Sequence, residues 1–445
     1  MNTFRHWLAP LIFACAQSAA AEDLVTVYRQ ALQADPQLKS AEVKVEIGSA
    51  LKGQALGQML PQVSATGNWS TNRSSQTNAR NQDIVQNYPG TRYYVSLNQT
   101  LIDFAKFWEW RRTSKVEDQY AAEAIEALNN LMFNVVERYF IELEAEDELS
   151  FAKTEKQATQ KQLEQIQKQY AKQLLKVTDL YAVEARLDQI IAAEILAESK
   201  RVTAQDNLRE LTGVSPAALN KLRDNVEYPE IQGDLQQWID MAQSQNPAIA
   251  AKQLAIQAAE NNVTVQKSKY LPVADLQLNY YDTNTGYQSS NIGPTRTEVA
   301  AINVTVPLFS GGTTTHQLFE AKHRLQLSKN DNEAAIRGII KETSDAFLSA
   351  NADARHIRAL QKALESAGKS REAMERGYHY GVVTISDVIK AQQDEYSAKN
   401  DFVKAKYSYI KNRIRFMHAL GSIAEENLQE INGWLEPAAG GHSAP

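Results

Sequence analysis

The sequence predicts a mainly helical chain with a minority of membrane-type β-strands, built as a duplicated half-structure. Three observations predict it. First, the chain is written twice. Asp23-Leu24, Asp35-Pro36 and Leu60-Pro61 reappear 211 positions later as Asp234-Leu235, Asn246-Pro247 and Leu271-Pro272. Tyr170, Thr178-Asp179-Leu180 and Leu211-Thr212-Gly213 reappear 208 positions later as Tyr378, Ser386-Asp387-Val388 and Ala419-Leu420-Gly421. A period this long is no solenoid unit; it marks a duplicated half that closes around an axis, a wall or tube more than a single-pocket enzyme. Second, Ala, Gln, Glu, Lys and Leu dominate between a few Gly and Pro clusters, the composition of long helices. Third, four segments of about ten residues alternate apolar and polar side chains, the length of a tilted membrane strand.

In chain order, residues 1–21 read as a secretory signal: Arg5 and His6, a short apolar core from Trp7 to Ala16, and small residues ending at Ala21. That core is too short to span a bilayer, which needs roughly 20 residues. Cleavage after Ala21 removes one Arg and no acid, so the mature charge is 46 − 53 = −7. Cys15 is the single cysteine; Phe13 makes its setting a poor lipoprotein site, and cleavage leaves a chain without thiols. Repeat 1 is expected over 22–233 and repeat 2 over 234–430, with a flexible tail over 431–445. In each repeat a first helix opens on a cap, Asp35 before Pro36 and its counterpart Asn246 before Pro247. Strands follow at about 62–71 and 92–102, and at about 272–282 and 297–309, joined by polar loops. Aromatic residues such as Trp69, Tyr88, Phe107, Tyr280 and Phe309 gather at strand ends, as interfacial girdles do. Two faces of a soluble sheet would alternate in the same way.

Long helices are expected over about 105–170 and 313–378, where no Pro intervenes. Each would be roughly 100 Å long at about 1.5 Å per residue. Ile336, Ile340, Thr343, Phe347, Ala350, Ala354 and Ile357 step by 3 or 4, a coiled-coil spacing. Returning helices over about 177–212 and 384–420 end at Gly213 and Gly421. Four strands cannot close a membrane barrel, whose minimum is about eight, so several chains must share one. The hairpin turns Gln173-Leu174-Leu175 and Gly381-Val382-Val383 expose apolar side chains, which suggests docking tips at Leu174, Leu175, Gly381, Val382 and Val383. Gln173 stands where the second copy has Gly381, so the two turns are expected to differ in shape. The run Glu142, Glu144, Glu146, Asp147, Glu148 reads as a solvated helix face. His316 and His323 lack acidic partners at metal spacing, and no Walker loop, HExxH or nucleophile motif occurs, so neither enzyme nor cofactor is expected.

These residues carry a resemblance. Leu60-Pro61 and Leu271-Pro272, the strand exits Leu97-Asn98-Gln99-Thr100-Leu101-Ile102-Asp103-Phe104 and Val306-Pro307-Leu308-Phe309-Ser310-Gly311-Gly312, and the hairpin stretches from Tyr170 to Leu180 and from Tyr378 to Val388 resemble the TolC-type outer-membrane channels, over essentially the whole mature length. The resemblance implies a homotrimer with a 12-stranded outer-membrane β-barrel continued by a 12-helix periplasmic α-barrel. It implies outer-membrane lipid, a periplasmic adaptor (a membrane fusion protein) and an inner-membrane ABC or proton-driven transporter as partners, with no nucleic acid. The segments 214–233 and 422–434 would form a belt. The implied setting is the outer membrane and periplasm of a Gram-negative bacterium; the implied task is an exit duct for proteins, by type I secretion, or for small toxic compounds.

Matched to the family's closed mouth, Asp179, Tyr378 and Asp387 are expected to form a periplasmic gate; capping of the returning helices is an equally open role for the two acids. The family's best-known member has a basic residue at the place of Val383 and an acid at the place of Lys390. Asp387 and Lys390 lie i, i+3, so a mouth of mixed charge is expected. A periplasmic adaptor or a coiled-coil scaffold without a pore is the competing class; adaptors lack four alternating strands and a full-length duplication.

Overall fold

A computed structural model describes residues 21–216, 218–284 and 293–437. The duplication is explicit in the element lengths. Repeat 1 holds α1 (Leu24–Ala34), α2 (Pro36–Gly57), β1 (Gln62–Thr77), β2 (Asp83–Ile102), α3 (Phe104–Ala171), α4 (Val177–Thr212) and a short β3 (Lys221–Leu222). Repeat 2 holds α5 (Leu235–Gln245), α6 (Pro247–Ser268), β4 (Val273–Asn284), β5 (Thr295–Thr305), α7 (Thr313–His379), α8 (Ile385–Leu420), α9 (Glu425–Asn432) and β6 (Leu435–Glu436). α2, α3 and α4 have 22, 68 and 36 residues; α6, α7 and α8 have 22, 67 and 36. Among the described residues no helix is long and apolar enough to cross a membrane.

Local chemistry explains the boundaries. Side-chain caps open α2 and α6, as their residue types require. Asp35 accepts from the Leu38 amide at 2.7 Å. Asn246 accepts from the Ala248 amide at 2.9 Å, with Pro247 next in the chain. Gly213 and Gly421 both take φ 71° and stop α4 and α8. This is the left-handed cap that a Cβ disfavours. α1 and α5, each about three turns long, precede α2 and α6. α1 is strongly two-faced, burying Leu24, Val25, Val27, Tyr28 and Ala31.

The chain forms two compact units, and each draws on both repeats. One contains Leu128–Ala242, the chain up to Leu38 and the chain from Ile340 on. Its core is helical: Val135, Val136, Tyr139, Phe140 and Leu143 of α3 are buried, as are Thr343, Ala346, Ala350, Ala354 and Ile357 of α7. The α7 set steps 3, 4, 4, 3, the stripe a coiled-coil seam needs. The non-helical segments are laced onto these helices. The Tyr139 hydroxyl donates to the carbonyls of Glu22 and Asn220 at 3.1 and 3.0 Å, and that of Tyr409 to the Pro229 carbonyl at 2.6 Å.

The flexible tail expected over 431–445 is not what the described part of that stretch forms. Leu435 is buried and β6 pairs antiparallel with β3, while Arg223 Nε donates to the Leu435 carbonyl at 2.9 Å. A two-residue pairing with a partner more than 200 positions away leaves no local pattern. Residues 438–445 lie outside the described residues, as do 1–20.

The acidic run is also not a solvated face. Glu142 is 2% exposed, Glu144 meets Lys411 at 2.8 Å, Asp147 accepts from Tyr407 at 2.7 Å, and Glu148 meets Lys200 at 2.8 Å. Partners on other elements cover it, and those partners are invisible in the run itself.

The other unit comprises Lys39–Ala127 and Gln243–Ile339. Its sheet has the order β1-β2-β4-β5, all antiparallel, so the two repeats meet at the β2–β4 pair. β1 and β2 run on through the stretch expected as a polar loop and turn only at 78–82. Thr, Ser, Asn and Gln satisfy a ladder as well as apolar residues do, so composition hides this extension.

Candidate functional site

Two places combine geometry and chemistry: the faces of the sheet and the tips of the helical hairpins.

Paired residues in an antiparallel sheet point to the same side. The register therefore sorts the side chains. One face collects Val63, Ala65, Gly67 and Trp69 of β1; Leu97, Val95 and Tyr93 of β2; Ala274, Leu276, Leu278 and Tyr280 of β4; and Val304, Ile302 and Ala300 of β5. Val63, Trp69, Ile302 and Val304 are each about two-thirds exposed in the single chain. The other face collects Ser64, Thr66, Asn68, Ser96, Asn98, Gln277, Asn279, Thr297 and Asn303. There Ser64 and Ser96 share a hydroxyl bond at 3.0 Å, and Asn303 donates to Gln277 at 3.0 Å. A sheet apolar on one side and polar on the other, with large aliphatics uncovered, is a barrel wall: lipid outside, water inside. Trp69 donates its indole N–H to Tyr93 at 2.9 Å on the apolar face, near its outer edge. That gives the amphipathic ring pair of an aromatic girdle.

The hairpin tips are built alike. After α3 the Gln173 amide donates to the Tyr170 carbonyl at 2.8 Å and the Leu174 amide to Gln169 at 3.0 Å. After α7 the Gly381 amide donates to Tyr378 at 2.9 Å and the Val382 amide to Gly377 at 2.9 Å. Gln173 has φ 59° and Gly381 φ 74°. The expected difference in turn shape is therefore absent: Gln173 takes the left-handed conformation despite its Cβ. The five expected docking residues divide. Leu174 and Val382 are 69% and 76% exposed, and Gly381 is exposed as well. Leu175 and Val383 turn inward onto a buried cluster of Ile166, Val183, Ile385 and Val388. Consecutive residues in an extended turn point opposite ways, so one apolar residue of each pair anchors the tip and the other faces out. Tyr380, 85% exposed, belongs to the outward set. Sequence reasoning does not single it out, because a Tyr beside Gly reads as an ordinary turn residue.

The expected gate residues also divide. Asp387 completes a capping box. Its carboxylate accepts from the Thr384 amide at 2.9 Å and from the Thr384 hydroxyl at 2.7 Å. Its own amide donates to the Thr384 hydroxyl at 3.3 Å. Those bonds, helped by the Lys390 charge, hold the carboxyl below its usual value. Lys390 is exposed one turn along. In repeat 1 the cap position is Lys176, which has no capping side chain, so the matching Asp179 is not drawn into a cap. Asp179 instead acts on Tyr378: burial first, then the Asp179 charge, push the phenol above its usual value. The structure thus brings Asp179 and Tyr378 near each other and sets Asp387 and Lys390 on the exposed start of α8.

Beside the tips lies a groove of about 880 Å³ lined from all four helices, including Gln162, Ile166, Leu175, Tyr378 and Gln392. Ion pairs tie the helices around it. Arg371 bonds Glu375 at 2.7 Å within α7 and Glu395 of α8 at 2.5 Å, and Arg186 of α4 pairs with Glu155 of α3.

Comparison with known proteins agrees with this geometry. The profile described as outer membrane efflux protein matches residues 27–214 and 238–422, one match per repeat. The outer membrane protein TolC of Vibrio cholerae serotype O1 is 29% identical over 423 residues, covering 94% of this chain and 95% of that protein. The alkaline protease secretion protein AprF of Pseudomonas aeruginosa is 26% identical over 445 residues, covering 97% and 91%. The Campylobacter jejuni CmeC outer membrane channel superposes with a TM-score of 0.80 at 16% identity, covering 93% and 90%. The fold is therefore that of channels joining an α-barrel to a β-barrel.

Proposed function

The chain belongs to the outer membrane efflux protein family, and from that premise we propose that three copies close one barrel of twelve strands and serve as the exit of a tripartite export system. The protein is an outer-membrane export duct that extends into the periplasm. The observation that carries this reading is the two-faced sheet. Four strands leave two open edges, β1 and β5, and an uncovered aliphatic face. Three copies joined edge to edge remove every open edge and give the aliphatic face to lipid.

Channels of this family work with adaptors and inner-membrane transporters. For this chain we assign the adaptor to the tips, through Leu174, Gly381, Val382 and Tyr380, with Leu175 and Val383 as their anchors. We take Asp179 and Tyr378 as the gate pair, which would bond a neighbouring hairpin in the trimer. Asp387 serves first as a cap and, with Lys390, gives the mouth mixed charge. Full-length similarity to AprF, named for protease secretion, favours a protein cargo. The test is heat-stable trimer migration in the outer-membrane fraction together with single channels in planar bilayers. A stable monomer, or no channels, overturns the reading.

A further inference from the structure

The polar face of the sheet holds two charged residues among its described side chains, Arg92 and Asp275, and they lie at opposite ends of the part that all four strands share. Asp275 pairs with Thr100 and Asn303, close to where the strands join the helices. Arg92 lies on the outermost polar-face rung that all four strands share: Asn68, Arg92, Thr283, Thr295. On β4 the two rungs fall at Asp275 and Thr283, eight positions apart (283 − 275). That separation is about 27 Å along the strand, at about 3.4 Å per residue.

Among the described residues, no carboxylate pairs with Arg92. Its cross-strand neighbours Asn68 and Thr283 are neutral. Its guanidinium lies over the Tyr281 ring, 5.8 Å from the centroid, and Tyr281 stacks on Tyr94 at 5.6 Å with 28° between planes. The stacked rings hold the guanidinium by cation–π attraction, which orients a positive charge without cancelling it as a carboxylate would. Arg296 is the contrast. It lies on the apolar face near the same level and is paired with Asp282 at 3.3 Å. Glu298, Asp282 and Arg296 all belong to that outer face, so none of them neutralises Arg92 across the wall.

We propose that Arg92, repeated three times around the barrel and backed by Tyr94 and Tyr281, is an anion-attracting ring at the outer mouth that sets the charge selectivity of the exit. This rests on the trimeric duct proposed above. Rings of Arg or Lys favour anions in pores as carboxylate rings favour cations. The exit of a chain with net charge −6 would then be basic.

Reversal potentials in planar bilayers across a KCl gradient test the ring. Ionic strength should stay below about 0.1 M, where the Debye length is about 10 Å or more and the field of the ring reaches across the lumen. Arg92→Gln should raise the cation-to-anion permeability ratio about twofold or more, Arg92→Glu should raise it further, and Arg92→Lys should leave it near the wild-type value. Channels that form normally but keep the same ratio in Arg92→Gln overturn the ring and leave the duct standing. Absence of wild-type channels overturns the duct itself. A readout without mutation covers variants that fail to assemble: inositol hexakisphosphate added to each chamber in turn should reduce the wild-type current far more from the outer side. Equal effects from both sides overturn the proposal.

Discussion

Gln173 and Gly381 hold the same left-handed backbone, φ 59° and 74°, at the same place in the two hairpin turns. Only one of them is a residue suited to it. A Cβ in this region costs roughly 1–2 kcal/mol. The buried cluster behind the turn, with Leu175 and Val383 packed against it, offsets that cost.

Exchanging the two residues should separate strain from shape. Gln173→Gly should stabilise the first tip by about 1 kcal/mol, and Gly381→Gln should destabilise the second by a similar amount. Amide hydrogen exchange across residues 172–178 and 380–386 reads this directly. A change of about 1 kcal/mol is roughly fivefold in protection when exchange follows local opening. Unchanged protection in both variants would mean that the turns are held wholly by packing.

Asp179 is available because Lys176 provides no side-chain cap for α4. Lys176→Thr should build in repeat 1 the box that Thr384 and Asp387 form in repeat 2, adding about 1 kcal/mol to the helix start. The same bond should draw Asp179 away from Tyr378. The expected result is a more stable tip and a leakier channel, seen as higher resting conductance. A stable tip with unaltered conductance would remove Asp179 from the gate.

Direct removal gives the companion test. Asp179→Ala with Tyr378→Phe should increase single-channel conductance substantially, since a charge-assisted hydrogen bond contributes about 1.5–3 kcal/mol and trimer symmetry repeats it. Lys390→Asp should raise cation selectivity if the exposed start of α8 faces the lumen. No change in either variant would leave the acids as helix-start residues only.

The faces of the sheet predict opposite outcomes for adjacent residues. Val304→Arg places a charge in lipid and should cost about 2–4 kcal/mol near the midplane. Asn303→Arg places it in water, where only the bond to Gln277 is lost. Yield of folded trimer in the outer-membrane fraction distinguishes them; equal yields would reverse or abolish the face assignment.

Glu142 should impose a pH slope on stability. Burial first, then the Glu146 charge, push its carboxyl up to about 7 from an ordinary value of 4.5. Because the folded-state value is raised, the folded chain binds the proton more tightly. The corresponding stability is fully present below about pH 4.5 and is lost as the pH rises through about 7, at most about 3 kcal/mol. Glu142→Gln should flatten the change in melting temperature between pH 5 and pH 8. An identical slope in the variant would show that the carboxylate is compensated.

Much of this protein was determined by its sequence alone. The duplication, the two long helices, the caps at Asp35 and Asn246 and the stops at Gly213 and Gly421 are local facts. Each follows from hydrogen bonding within one turn or from the period of one stripe. The alternation in β4 and β5 assigned Val304 and Asn303 to opposite faces in the same way. Tertiary structure decided whatever depends on a distant partner. It paired Leu435 with Leu222, buried Glu142, turned Leu175 and Val383 inward while leaving Leu174 and Val382 outside, and set Asp387 to capping while α4 starts without a side-chain cap at Lys176. It also ran β1 and β2 through a stretch whose composition reads as loop. The physical reason is common to all of these. A repeating pattern records which way a side chain points along its own element, whereas burial, pairing and charge depend on what another element brings to meet it.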